Sequence, residues 1–221
     1  MVVYQISSEK KGGWESLSLT VRILLINVLF FIVSRILVSL NLISLDYFAL
    51  NPANILHSFF VWTFLTSMFM HANIFHLFVN MLSLLFVGTF VEKLLGKKRY
   101  LGFYLLSGLF AGFLFVLSAL IFPAEMNTYA VGASGAIFGL IGILVLLTPN
   151  LPVYMMFIPI PIKMKYAAPG MLILLWLISL STGISIGNVA HFGGLLAGIF
   201  YGLYLKKYFP NKTRYLSKRF S

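Results

Sequence analysis

Few residues in this chain could do chemistry, and they fall in three short stretches. Ser134 stands between glycines in TYAVGASGAIFGLIG (residues 128–142). His71, His76 and Asn80 lie in HANIFHLFVNM, and His191 lies in GNVAHFGGLLAG. A serine hydroxyl within about 2.6–3.2 Å of a histidine nitrogen is the starting arrangement for nucleophilic catalysis. Asn80 follows His76 by four residues, so on a helix both share a face and could donate hydrogen bonds into one pocket. A soluble-type nucleophile elbow is excluded, because Gly-x-Ser-x-Gly needs glycine at 136, where Ala136 stands, and no strand precedes it. A metal centre is the natural rival for the histidines. There is no cysteine and no carboxylate lies near them. On one ideal helix His71 and His76 would project about 140° apart, so no metal is expected and no cofactor either.

The elements that must position these residues follow from composition and charge. Of 221 residues, 60% are hydrophobic and 10% charged, with a mean hydropathy of +0.98, far above an ordinary soluble domain. The chain is expected to be an all-α integral membrane protein. A net charge of +11 could suggest nucleic acid, but the basic residues are clustered. Lys10, Lys11 and Arg22 lie before or at the start of the first apolar stretch; Lys93, Lys97, Lys98 and Arg99 form one loop; Lys163 and Lys165 form another; six more lie from Lys206 to Arg219. This is the positive-inside pattern recurring every second loop, so no nucleic-acid partner is expected. Six apolar stretches, 19–42, 71–91, 100–121, 133–148, 166–181 and 188–206, then form one bundle with both termini cytoplasmic. Arg35 snorkels towards the outer end of the first helix. The Pro-rich run from Pro149 to Lys165 is read as an interfacial connection. The organisation expected is a short N-terminal segment (1–18), a membrane domain (19–206) and a basic tail (207–221).

Under that topology the second, fourth and sixth spans run in the same direction, so His71, His76, Asn80, Ser134 and His191 share the outer half of the membrane. A helix from Ala133 to Thr148 reaches about 24 Å at about 1.5 Å per residue, short of a hydrocarbon core of about 30 Å. Its N-terminus would stop inside the membrane, where unpaired N–H groups need a wet cavity or a ligand and would suit a developing oxyanion. Gly135, Gly139 and Gly142 on this helix, and Ala190, Gly194 and Gly198 on the last, are small-residue stripes that let membrane helices approach closely. That closeness is what would bring His191 within reach of Ser134.

Taken together, His71-x4-His76-x3-Asn80, Gly132-Ala133-Ser134-Gly135 with Gly142 beyond it, and Ala190-His191-x2-Gly194-x3-Gly198 resemble the rhomboid intramembrane serine proteases of the six-helix prokaryotic type. The resemblance covers roughly residues 19–206. It implies a Ser134 nucleophile and a His191 general base without a carboxylate. His76, Asn80 and the Ser134 and Gly135 backbone would form the oxyanion hole. His71 and Glu92 match family positions with supporting roles, as do Gly132, Gly194 and Gly198. It also implies single-span transmembrane substrates entering sideways past the fifth helix and the STGISIG loop (181–187), within the lipid bilayer. Two positions depart from the family pattern: Thr63 follows Trp62 where Arg is often found, and Phe138 stands where a tyrosine often stacks on the histidine. Catalytically silent members, which bind membrane proteins instead, typically lose the serine or the histidine; this chain has both. Without a transit peptide or extra domain, the chain is expected in the cell membrane of a prokaryote. Independently of the resemblance, Glu92 reads as a structural partner of Lys93.

Overall fold

The computed structural model describes residues 13–154, 159–183 and 187–220. It is mostly helical, and among the described residues five helices are long and apolar enough to cross a membrane. The first is α1 (Leu19–Ser39), capped by the Ser18 side chain, which accepts from the Val21 N–H. The short helices α2 (Pro52–Ser58) and α3 (Thr63–Thr66) follow. A continuous span, Ile74–Leu95, is built from α4 (Ile74–Ser83), a π-helical turn (Leu84–Gly88) and α5 (Thr89–Leu95). Then come α6 (Lys97–Ile121), α7 (Ser134–Leu147), α8 (Met164–Thr182), α9 (Asn188–Tyr208) and α10 (Pro210–Arg219).

The second span starts at Ile74 rather than at His71. Asn73 takes the N-cap position, its side chain accepting from the His76 N–H, which leaves His71 outside the helix. The span ends at Gly96, whose φ of 78° lies in the left-handed region that glycine adopts without strain. The Pro-rich connection is not wholly irregular. Pro152–Tyr154 (β1) and Pro161–Lys163 (β2) pair antiparallel, so an all-α description misses a two-stranded ribbon; residues 155–158 lie outside the described residues. Residues 184–186 do too, and with them part of the side entrance expected at 181–187. Within 207–220, α9 runs on to Tyr208, and α10 packs back against α7 and α9.

At 14 residues, α7 is an apolar helix shorter than the five that could cross a membrane, and it is more buried than any of them. It packs most extensively against α9 and next against α6. With no water to drive helices together inside lipid, close backbone packing has to supply the attraction, and small residues permit it. A Cβ on Gly194 would collide with the Gly135 carbonyl, one on Gly198 with the Gly139 carbonyl, and one on Gly142 with the Leu195 carbonyl. On its other side, a Cβ on Gly139 would lie 2.6 Å from Ser107 of α6, and one on Gly135 would lie 2.7 Å from Ala111. Both faces of α7 are therefore held at backbone distance.

Candidate active site

The glycine seam sets the first distance. Ser134 opens α7 and His191 lies in the first turn of α9, and with the backbones this close Ser134 Oγ lies 2.7 Å from His191 Nε2. The imidazole is 6% exposed, and Phe138, one turn beyond Ser134, stacks on it at 4.8 Å between ring centroids and 25° between planes. The phenyl ring thus supplies the stacking surface for which the resemblance implies tyrosine. His191 Nδ1 is buried and has no hydrogen-bond partner among the described residues. If Nε2 accepts from the serine hydroxyl, the proton resides on Nδ1 and the ring is oriented by packing.

His76 lines the same cavity as Ser134. The Ala72 N–H donates to His76 Nδ1 at 3.4 Å, which leaves the ring proton on Nε2 and makes that nitrogen a donor. A Cβ on Gly132 would lie 3.0 Å from His76 Nε2 and 3.8 Å from Ser134 Oγ, so the Gly132 Cα is wedged between the two side chains. Its φ of 117° lies in the left-handed region, and its N–H donates to the Ser67 carbonyl at 2.8 Å. Ser134, Gly135, His76, Gly132 and His191 line one cavity of about 270 Å³, open at the end of the bundle where α7 and α9 begin. The N–H groups in the first turn of α7 have no acceptor earlier in the helix, and the positive end of its dipole faces the cavity.

Asn80 is placed differently from the expectation. It is buried and does not line the cavity; its Nδ2 donates to the His76 carbonyl at 2.9 Å, and its Oδ1 has no partner among the described residues. His71 is fully buried. Its Nδ1 lies 3.2 Å from the Phe69 carbonyl, and its ring sits edge-on to His76 at 5.3 Å. The 140° separation expected for the pair does not hold, because His71 precedes the helix. Gly194 and Gly198 act through the seam, away from the cavity. The partner expected for Glu92 is also corrected. Its carboxylate accepts from the Leu19 N–H (2.9 Å), the Thr20 N–H (2.8 Å) and the Thr20 hydroxyl (2.7 Å), which caps the N-terminus of α1.

The cavity rim uses residues that the sequence pattern did not single out. Leu50 and Ala130 exchange backbone hydrogen bonds of 3.1 and 2.8 Å, laying the segment before Ser134 along the loop before α2. Asp46 accepts from the Tyr129 hydroxyl and the Asn54 amide, each at 2.7 Å. The Tyr129 bond, helped by those from Asn54 and Ser44, outweighs partial burial and holds the Asp46 carboxyl below its ordinary range, while Asp46 holds the Tyr129 hydroxyl above its own. Thr63 is buried and bonds to the Phe60 carbonyl at 2.6 Å. Trp62 donates to the Tyr47 carbonyl at 3.1 Å and stacks on Phe60 at 4.8 Å, so this loop has its own sources of order.

A family model described as the Rhomboid domain matches residues 58–208. The chain is 39% identical over 158 residues to RHOMBOID-like protein 1 of Arabidopsis thaliana, covering 70% of this chain and 37% of that protein. It is 36% identical over 148 residues to RHOMBOID-like protein 6, mitochondrial, of the same plant, covering 65% and 43%. It is 34% identical over 152 residues to Rhomboid-like protease 1 of Toxoplasma gondii, covering 69% and 50%. The chain thus spans between about a third and a half of the length of these relatives. The expectation of a prokaryotic cell membrane is corrected by these matches: the relatives are plant and apicomplexan proteins, one of them named mitochondrial, and they point to a eukaryote. A minimal helical core was a poor guide to source, because the same core recurs inside these longer proteins. The family match runs from the end of α2 to the end of α9, so it takes in every element that brings Ser134, His191 and His76 together, and the chain belongs to the Rhomboid family.

Proposed function

We propose that this chain is an intramembrane serine endopeptidase acting through a Ser134–His191 dyad, with single-span transmembrane proteins as substrates. The observation that carries the reading is the 2.7 Å approach of Ser134 Oγ to His191 Nε2 at the wall of a cavity that also takes in His76, inside an apolar bundle. A relative carries the name protease, which supports the same reading. In this proposal α7 is a sixth crossing segment. Its 14 residues span about 21 Å against about 30 Å of hydrocarbon, so Ser134 is reached from water below the membrane surface. The distribution of basic residues supports an orientation with both termini in the cytoplasm and the cavity towards the opposite side. The catalytic unit is the membrane domain, 19–206, between the short N-terminal segment and the basic C-terminal stretch.

The reaction follows from the donors and acceptors in place. His191 Nε2 removes the Ser134 proton as Oγ attacks the scissile carbonyl. The resulting oxyanion is held by the Ser134 and Gly135 N–H groups and by His76 Nε2–H, with Asn80 placing the His76 backbone. The imidazolium returns its proton to the leaving amine, and cavity water then hydrolyses the acyl-enzyme by the same route. Helical peptide bonds are shielded by their own hydrogen bonds, so substrates with glycine or proline near the cavity's depth are cleaved in preference. The test is cleavage of a panel of single-span substrates by the purified protein in liposomes, beside Ser134→Ala and His191→Ala. Both variants should lose essentially all turnover. Cleavage that persists in Ser134→Ala would sink the mechanism, and no cleavage by any form would favour a membrane-protein binding role instead.

A further inference from the structure

The cavity lies at one end of the bundle, and the other end has a surface of its own. After α9 ends at Tyr208, Pro210 starts α10, which turns back across the bundle. One side of α10 is spent on packing: Thr213 is 7% exposed, and Phe220 meets Phe90 edge-on at 5.3 Å. At 100° per residue the opposite side gathers Lys212, Arg214, Tyr215, Lys218 and Arg219, all exposed. Further exposed pairs lie at helix ends: Lys98 and Arg99 at the start of α6, Lys163 and Lys165 at the start of α8, and Lys206 and Lys207 at the end of α9. The Arg99 guanidinium sits over the Phe209 ring at 5.0 Å, which joins α6 to the start of α10.

This field of cations has little negative charge within the bundle to balance it. Of the described acids at this end, Glu92 gives both oxygens to the first turn of α1, and Glu15 is a single exposed carboxylate ahead of that helix. Asp46 and Glu125 bond to Tyr129 and Ser118 away from this end, towards the cavity. Directly beyond the cations the flank is apolar: Phe86 is 68% exposed, Leu203 53% and Tyr208 58%. Cations bordering such a flank, with Tyr208 and Tyr215 at the boundary, meet the plane where lipid tails give way to headgroups.

We propose that the exposed face of α10, with the basic ends of α6, α8 and α9, is a binding surface for anionic lipid headgroups. Each Lys or Arg near an anionic bilayer surface contributes about a five-fold gain in association. The surface therefore selects anionic over zwitterionic lipid, whichever leaflet it faces and whatever the reaction at the opposite end.

The full chain in phosphatidylcholine vesicles, doped with spin-labelled phosphatidylglycerol or spin-labelled phosphatidylcholine, tests this through the motionally restricted fraction of each label. The wild type should prefer phosphatidylglycerol several-fold, and raising salt from about 0.1 to about 1 M should shrink the preference as the screening length falls from about 10 to about 3 Å. The K212Q/R214Q/K218Q/R219Q variant should lose most of it, while K212R/K218R retains it; unchanged helix content and thermal unfolding exclude misfolding as the cause. Equal association of both labels with the wild type, or a preference that survives the four substitutions, overturns the proposal. Binding of poly-glutamate to the wild type that persists while phosphatidylglycerol shows no preference would assign the surface to an acidic protein instead.

Discussion

His76 and Asn80 share a helix face, yet their geometry gives them different tasks. His76 turns its Nε2 to the wall beside Gly132 and Ser134, whereas Asn80 spends its amide on the His76 carbonyl. On the proposed mechanism, His76→Ala removes an oxyanion donor and should lower kcat about 10²- to 10³-fold, as for one such donor in comparable sites. Asn80→Ala acts only through the His76 backbone and should cost about ten-fold or less. Single-turnover cleavage of one substrate by both variants checks the order; equal losses would return Asn80 to direct contact with the oxyanion. These residues were legible in the sequence because polar groups in apolar helices are costly and therefore conspicuous. The His71–His76 ring contact was not, since it depends on the helix starting after Asn73, and a cap shifts a boundary by only a few residues.

Between elements, the glycine stripes announced a close helix pair, but not which carbonyl each glycine would face. Gly194 lies against Gly135 and Gly198 against Gly139, in register along two helices that run the same way. Gly198→Ala places a methyl into the Gly139 carbonyl, two turns from the dyad, where it touches no reacting group. It should destabilise the fold by about 1–3 kcal/mol, as overpacking does. By shifting His191 a fraction of an ångström from Ser134 it should also lower turnover by ten-fold or more. Denaturant unfolding and kinetics at a temperature where the variant is fully folded separate the two effects; full activity in a destabilised variant would show that the seam stabilises the bundle without setting the dyad distance. The Glu92 cap was harder to read. Lys93 beside it in sequence suggested an ion pair, whereas the carboxylate finds three donors at the start of α1, a partner that only the folded bundle brings near.

Across the whole molecule, charge placement located the helices to within a few residues, although the basic clusters expected to be loops lie largely within helix ends, Lys93 in α5, Lys97 to Arg99 in α6 and Lys206 and Lys207 in α9. It carried no information about how the loop after α1 is tied to the segment before Ser134, since Asp46 and Tyr129 are 83 residues apart. That tie has a defined pH response. Hydrogen bonds to the ionised form lower the folded carboxyl below its ordinary value of 3.8. Its stabilisation is therefore fully present above 3.8 and is lost as pH falls through the lower folded value. Asp46 is largely solvated, so its worth is discounted to below about 1 kcal/mol. Unfolding midpoints of wild type and Asp46→Asn in micelles should thus differ by a constant amount from pH 7 to pH 5, and the difference should shrink only below pH 3.8. Tyr129→Phe removes the largest cause of the depression, so in that background the difference should be smaller throughout, and its loss, which still begins near pH 3.8, should be complete at a higher pH. A difference that changes between pH 5 and 7 would place the titrating group elsewhere and leave the rim held by the Leu50–Ala130 backbone pair alone.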